Sequence, residues 1–237
     1  MTDEWTLLCV TTAGVAFAHT LLGPDHYLPF IGMARAGQWT RAKTLRITAL
    51  CGLGHVTASL LLGSIGVAVG LSLAEFSVFN SLRGSIAAWG LIVFGLLYGA
   101  WGLRRALRGP SHSHWHAHVD GSVHAHDHVH ATQHVHFHER SRMGAFSGWT
   151  LFAIFILGPC EPLIPLLMVP AATGSVAGLA LLVAVFTAVT LASMLGIVWL
   201  ATVGSERLTA LPGRRYGHAL TGALVFACGV LMEFAGL

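Results

Sequence analysis

Charge is what this sequence has least of. Only 10% of its 237 residues are Asp, Glu, Lys or Arg, while 54% are hydrophobic. Soluble domains carry about 25% charged residues, so a water-facing surface of ordinary size is excluded. Basic residues are missing ahead of the first apolar run, where the chain reads Met1-Thr2-Asp3-Glu4-Trp5. A secretory signal would begin with them, and the segment therefore reads as a retained first helix. Paired cysteines are missing as well. Cys9, Cys51, Cys160 and Cys228 stand singly among apolar residues with no Cys-x-x-Cys, which excludes a disulfide framework. Cys9, Cys51 and Cys228 read as small packing residues. No phosphate-cradling loop is present, so any transport must draw on ion gradients, membrane potential or a partner. The expectation is a protein that is not an enzyme and has no nucleic-acid partner.

What the chain does have is long apolar runs. Mean hydropathy is +0.70, and several stretches reach the ~20 residues that cross a bilayer core. Glycine is abundant at 28 residues, as expected where membrane helices pack through small side chains. Breaks of charge and Gly/Pro divide the sequence into six predicted spans: 6–34, 45–71, 84–103, 147–171, 176–203 and 217–236. Of the 13 Lys and Arg, 12 fall in the connections between spans one and two, three and four, and five and six. Arg83 alone lies opposite. By the positive-inside rule those three connections are cytoplasmic, and both termini face outward from a multi-pass protein of the inner (plasma) membrane.

The sequence repeats at an offset of about 135. Residues 17–28, from Phe17 to Leu28, lie over 152–163 with six of twelve positions identical, including Gly23-Pro24 over Gly158-Pro159. Weaker echoes join Ala58-Ser59 to Ala192-Ser193, and 90–94 to 222–226. Each unit holds three spans, an odd number, so the units must be inverted relative to one another, as in secondary transporters. The expected fold is all-α, with six transmembrane helices in two inverted three-helix repeats (1–103 and 146–237) joined by a loop over 104–145. Proline lacks a backbone N–H and clashes with the preceding turn, so helices one and four should break at Pro24 and Pro159. Broken helices leave carbonyls and half-helix ends where an ion can be held.

Ionisable residues inside the spans sit at those breaks. Asp25 and Glu161 follow the two prolines, and His19, His26 and His55 lie nearby in sequence. An intramembrane carboxylate costs roughly 2.5–3.5 kcal/mol on insertion scales, so it is rarely idle. In a continuous helix His19 and His26 would stand about 10 Å apart along the axis, too far to share one ion. Folding at the break removes that distance. Imidazole with carboxylate suits nickel, cobalt, zinc or copper, whereas magnesium and calcium prefer oxygen cages. Cys160 is a possible thiolate addition. Eleven further histidines crowd 112–138: His112, His114, His116, His118, His124, His126, His128, His130, His134, His136 and His138. Their alternation reads as a flexible, cytoplasmic metal-binding tract without a core of its own.

At these residues the sequence resembles the nickel/cobalt transporter (NicO) superfamily, and within it the UreH-like branch. Permeases of that superfamily carry His-x4-Asp-His in one helix and Leu-Gly-His in the next. Here His19, Asp25 and His26 have five residues between the first two, and Leu53-Gly54-His55 follows. The resemblance implies a metal site at His19, Asp25, His26 and His55. Gly158-Pro159-Cys160-Glu161-Pro162 is instead similar to the Pro-Cys segments of CcdA-type electron carriers.

Together these features lead to an expected transporter of a divalent transition-metal ion, nickel or cobalt first, with Zn2+, Cu and Fe2+ also open. The ion is cargo, and no permanent cofactor is expected. Partners would be the lipid bilayer, the metal ion, and a homo-oligomer or a cytoplasmic metallochaperone. One alternative is a CcdA-like thiol carrier, which needs a second cysteine where the repeat has Asp25. Another is a sulfite or anion exporter, which needs Arg or Lys at the breaks, where none is expected. A non-transporting metal sensor is a third.

Overall fold

The computed structural model describes residues 2–69, 73–108, 111–117, 123–129, 142–158, 160, 162, 165–166, 174–207 and 214–235. Helix α1 spans Thr2–Leu22 and carries Asp3 and Glu4 in its first turn, where the helix dipole favours acidic groups. Its ladder ends with Gly23 N–H on the His19 carbonyl at 3.0 Å. Pro24 cannot continue it, and a single 3-10 turn, Pro24–His26, follows. The chain restarts as α2, Leu28–Ala36, with Pro29 in its first turn. The predicted first span is therefore two helices with a turn between them.

Thr40 opens the next helix by accepting the Lys43 N–H on its hydroxyl at 3.3 Å. That helix, α3, runs over Arg41–Val69, and α4 over Leu73–Arg108, starting well before the predicted boundary at 84. Helix α5 covers Arg142–Leu157, α6 Val176–Arg207 and α7 Gly217–Ala235. Five helices are long and apolar enough to cross a bilayer, within α1, α3, α4, α6 and α7; the apolar part of α5, Gly148–Leu157, is shorter. Large apolar side chains such as Leu97 and Leu200 stand more than half exposed on their outer faces, as lipid contact requires. The chain is a helical, multi-pass membrane protein.

Packing inside the bundle relies on small residues. Helices α4 and α7 run antiparallel, with Gly95 against Phe226, Gly99 against Gly222 and Gly102 against Ala219. A Cβ on Gly222 would fall 2.3 Å from the Gly99 backbone, so only glycine permits this approach. Helix α1 lies against α6, α3 against both α5 and α6, and α2 against α7. Phe30, Met33, Cys51, Leu151, Phe155, Met194 and Val198 fill the centre between α2, α3, α5 and α6.

One part of the His-rich segment departs from the expected shapeless tract. Strands β1, Ser111–Ala117, and β2, Val123–Val129, pair antiparallel with His112 opposite His128, His114 opposite His126 and His116 opposite His124. The alternation that read as low complexity is also the period of a strand. His118, His130, His134, His136 and His138 lie outside the described residues, as do Pro159 and Glu161 of the second break.

Candidate metal centre

Three histidines from two helices and one turn meet inside the bundle. His19 ends α1, His26 closes the 3-10 turn, and His55 is the midpoint of α3, fourteen residues from either end of Arg41–Val69. The break folds His26 back towards His19, bringing their ring centroids to 4.7 Å. His55 stands 5.3 Å from His26 and 6.5 Å from His19. One ring nitrogen from each falls within 4.8 Å of the others. A tetrahedral ion with bonds near 2.1 Å needs ligand atoms about 3.4 Å apart, so small ring rotations would close the gap.

The hydrogen bonds behind the rings fix which nitrogen faces the centre. His26 Nδ1 lies 3.1 Å from Asp25 Oδ1, and His55 Nδ1 lies 3.1 Å from the Phe155 carbonyl. Both oxygens can only accept, so each Nδ1 carries the proton and each Nε2 keeps its lone pair. The Nε2 atoms of His19, His26 and His55 are all buried and have no hydrogen-bond partner among the described residues. An unsatisfied buried polar atom costs about 1–3 kcal/mol. Three such atoms on three clustered rings are a deficit that a shared electrophile would remove.

Local sequence explains this geometry. Gly23 is obligatory at the first break, because a Cβ there would sit 2.6 Å from His26 Nδ1 and 2.9 Å from Asp25 Oδ1. At the second, the normal helical donor to the Phe155 carbonyl would be residue 159, a proline with no N–H to give. Gly158 N–H reaches back to Ile154 and Phe155 at 3.1 Å each, and His55 supplies a further donor from α3. The end of α5 thus orients a ring on α3.

The six expected ligands do not all converge. His19, His26 and His55 form the group. Asp25 backs His26 rather than joining the cluster of ring nitrogens, since its oxygen is taken up at Nδ1. Cys160 is 1% exposed and packs with Ala16, Val56 and Phe186, apart from the imidazoles. Glu161 lies outside the described residues. His55, at the middle of its helix, is deeper than a predicted span starting at 45 implied.

Sequence reasoning missed two charged residues. Arg83, expected in an outer connection, is 6% exposed within α4. It donates to Asn80 Oδ1 at 3.0 Å and to the carbonyls of Ile156 and Gly158 at 3.2 Å each. The expectation that no basic residue attends the breaks is therefore corrected: Arg83 caps the broken end of α5. Glu233, near the end of α7, accepts from Ser85 Oγ at 3.3 Å. Glu233 is the single Asp, Glu, Lys or Arg of Gly217–Ala235, and that isolation was its signal. Arg83 had no comparable signal, since its partners are carbonyls 73 and 75 positions away. No protein-family model, curated protein or solved structure matches the chain, so its function is read from this site alone.

Proposed function

We propose that the chain transports a divalent transition-metal ion across the membrane, with nickel or cobalt the first choices, and holds it in passage at His19, His26 and His55. The observation that carries this reading is the convergence of three imidazoles, one nitrogen of each within 4.8 Å of the others, with every Nε2 buried and unpartnered among the described residues. Imidazole donors favour nickel, cobalt, zinc, copper and iron over magnesium and calcium. Three protein ligands leave coordination positions open, which suits an ion that must leave again better than a closed structural site does.

Six spans in two inverted repeats are part of the same proposal. Exchange α1 for α5, α3 for α6 and α4 for α7. The contacts α1–α6 and α3–α5 then replace one another, while α3–α6 and α4–α7 map onto themselves. Two inverted three-helix units generate that pattern. On the positive-inside rule the His-rich segment is cytoplasmic and can collect or receive ions there. Neither the thiol carrier nor the anion exporter gains support. Cys160 has no second cysteine beside it among the described residues, and the Arg83 guanidinium is engaged by protein oxygens rather than offered to an anion.

Co2+ provides the test, because its visible bands report the ligand set. Purified protein should bind it with imidazole-type bands, and proteoliposomes should carry it. His26→Ala should abolish both while the protein still inserts. Unchanged binding and flux in His26→Ala and in His55→Ala would overturn the proposal.

A further inference from the structure

A cavity of about 640 Å³ adjoins the imidazole group. Its lining includes His19, Asp25 and His26 together with Ser81, Ser85 and Glu233. Ser85 is residue 85 of a helix that begins at Leu73, which puts it about 18 Å along α4. The Glu233 carboxylate bonded to it is partly buried near the end of α7 and opens on the same cavity. The three imidazoles bring no negative charge, and the oxygen of Asp25 is engaged at His26. Asp25 leaves a single negative charge beside the trio, and a divalent cation shedding water in such a cavity calls for a second.

We propose that Glu233, steadied by the Ser85 hydroxyl, is a second cation station in the cavity it shares with the histidines. A partly hydrated divalent transition-metal ion is held there by charge and then exchanges its remaining water for imidazole. This rests on the reading of the trio as a transport site and adds to it a residue that governs entry rather than final coordination. Both stations belong to the lining of this one cavity. Carboxylate suits a hydrated ion and imidazole a dehydrated one, so the order of ligands follows the loss of water.

The test separates rate from equilibrium. Glu233→Gln keeps the shape and an acceptor for Ser85 but removes the charge. In proteoliposomes it should lower kcat/KM for Co2+ by about tenfold or more, as loss of a focusing charge from a cleft does. Equilibrium Co2+ affinity, read from the visible bands, should change less than about threefold, as for positions that share no ligand. Glu233→Asp should recover part of the flux, and Ser85→Ala should lose less than Glu233→Gln. Wild-type kcat/KM in Glu233→Gln overturns the station. So does loss of the Co2+ spectrum in that variant, which would make the carboxylate a ligand of the trio or a packing element. Retained Co2+ binding in His26→Ala strikes the trio instead, leaving the flux ratio of Glu233→Gln to decide its own case.

Discussion

At the scale of single residues, the site turns on the difference between binding an ion and aiming the group that binds it. Asp25 follows proline at a helix break, and from sequence it looks like a ligand. Its oxygen lies on the back of the His26 ring, at Nδ1, so its work is to hold a tautomer and a direction. Losing such support typically costs 10–100-fold in metal affinity, about 1.4–2.8 kcal/mol, without ending binding. Asp25→Asn should therefore weaken Co2+ binding within that range, because the Asn oxygen still accepts from Nδ1–H. His26→Ala should remove it altogether. Equal and complete loss in both variants would return Asp25 to the coordination sphere. The three histidines were legible in the sequence because an imidazole inside an apolar span has few other uses. Phe155 was not, since its contribution is a carbonyl that exists only where a proline four residues on withholds its N–H. Glu233 was legible in principle, and its partner Ser85, 148 positions away, was not.

Helix ends carry the next level of the argument. Both Gly-Pro pairs predict breaks, and at each the described chain leaves the helix: α1 stops at Leu22 and α5 at Leu157. What the sequence could not supply is how the exposed carbonyls are satisfied, because the donors come from other helices. Arg83 reaches from α4 to Ile156 and Gly158, and His55 reaches from α3 to Phe155. Arg83→Met would leave two buried carbonyls short of a donor, at roughly 1–3 kcal/mol each. We expect a lowered melting temperature in detergent together with weaker Co2+ binding, since a loosened α5 end no longer aims His55. Arg83→Lys should fall between, having charge but not the forked geometry. A variant Arg83→Met as stable as wild type would mean that water caps α5 instead. The glycine seam makes a second prediction. Gly222→Ala puts a methyl 2.3 Å from Gly99 backbone atoms, which cannot swing aside, and should cost about 1–3 kcal/mol. Gly196→Ala meets nothing within 4 Å and should stay within about 0.5 kcal/mol of wild type. Unfolding of the two variants side by side tests whether the α4–α7 approach is as close as described.

For the whole molecule, the sequence pattern and the packing agree on which ends go together. Thr221 of α7 donates to the Gly32 carbonyl of α2 at 3.0 Å, bringing the basic connection after Arg35 to the start of α7. Arg215, just before α7, donates to the carbonyls of Ala106 and Leu107 at the end of α4. The ends of α2 and α4 and the start of α7, each bordering a basic connection, thus lie at one end of the bundle. At the other end Trp5 of α1 packs on Gly178 of α6. A bundle sorted in this way has one cytoplasmic and one outer end by the positive-inside rule, and single cysteines can tell them apart. Cys51, Cys160 and Cys228 are buried, so only Cys9 needs replacing, with serine, before new thiols are introduced. Exposed Val176, at the start of α6, and exposed Ala42, at the start of α3, mark the two ends. In intact cells an impermeant maleimide should label Val176→Cys from outside. Ala42→Cys should be labelled only after the membrane is opened. Labelling of both from outside, or of Ala42→Cys alone, would defeat the assigned orientation and move the His-rich segment out of the cytoplasm. It would leave the imidazole site untouched, because that site lies at the middle of α3, equally far from both ends of the helix.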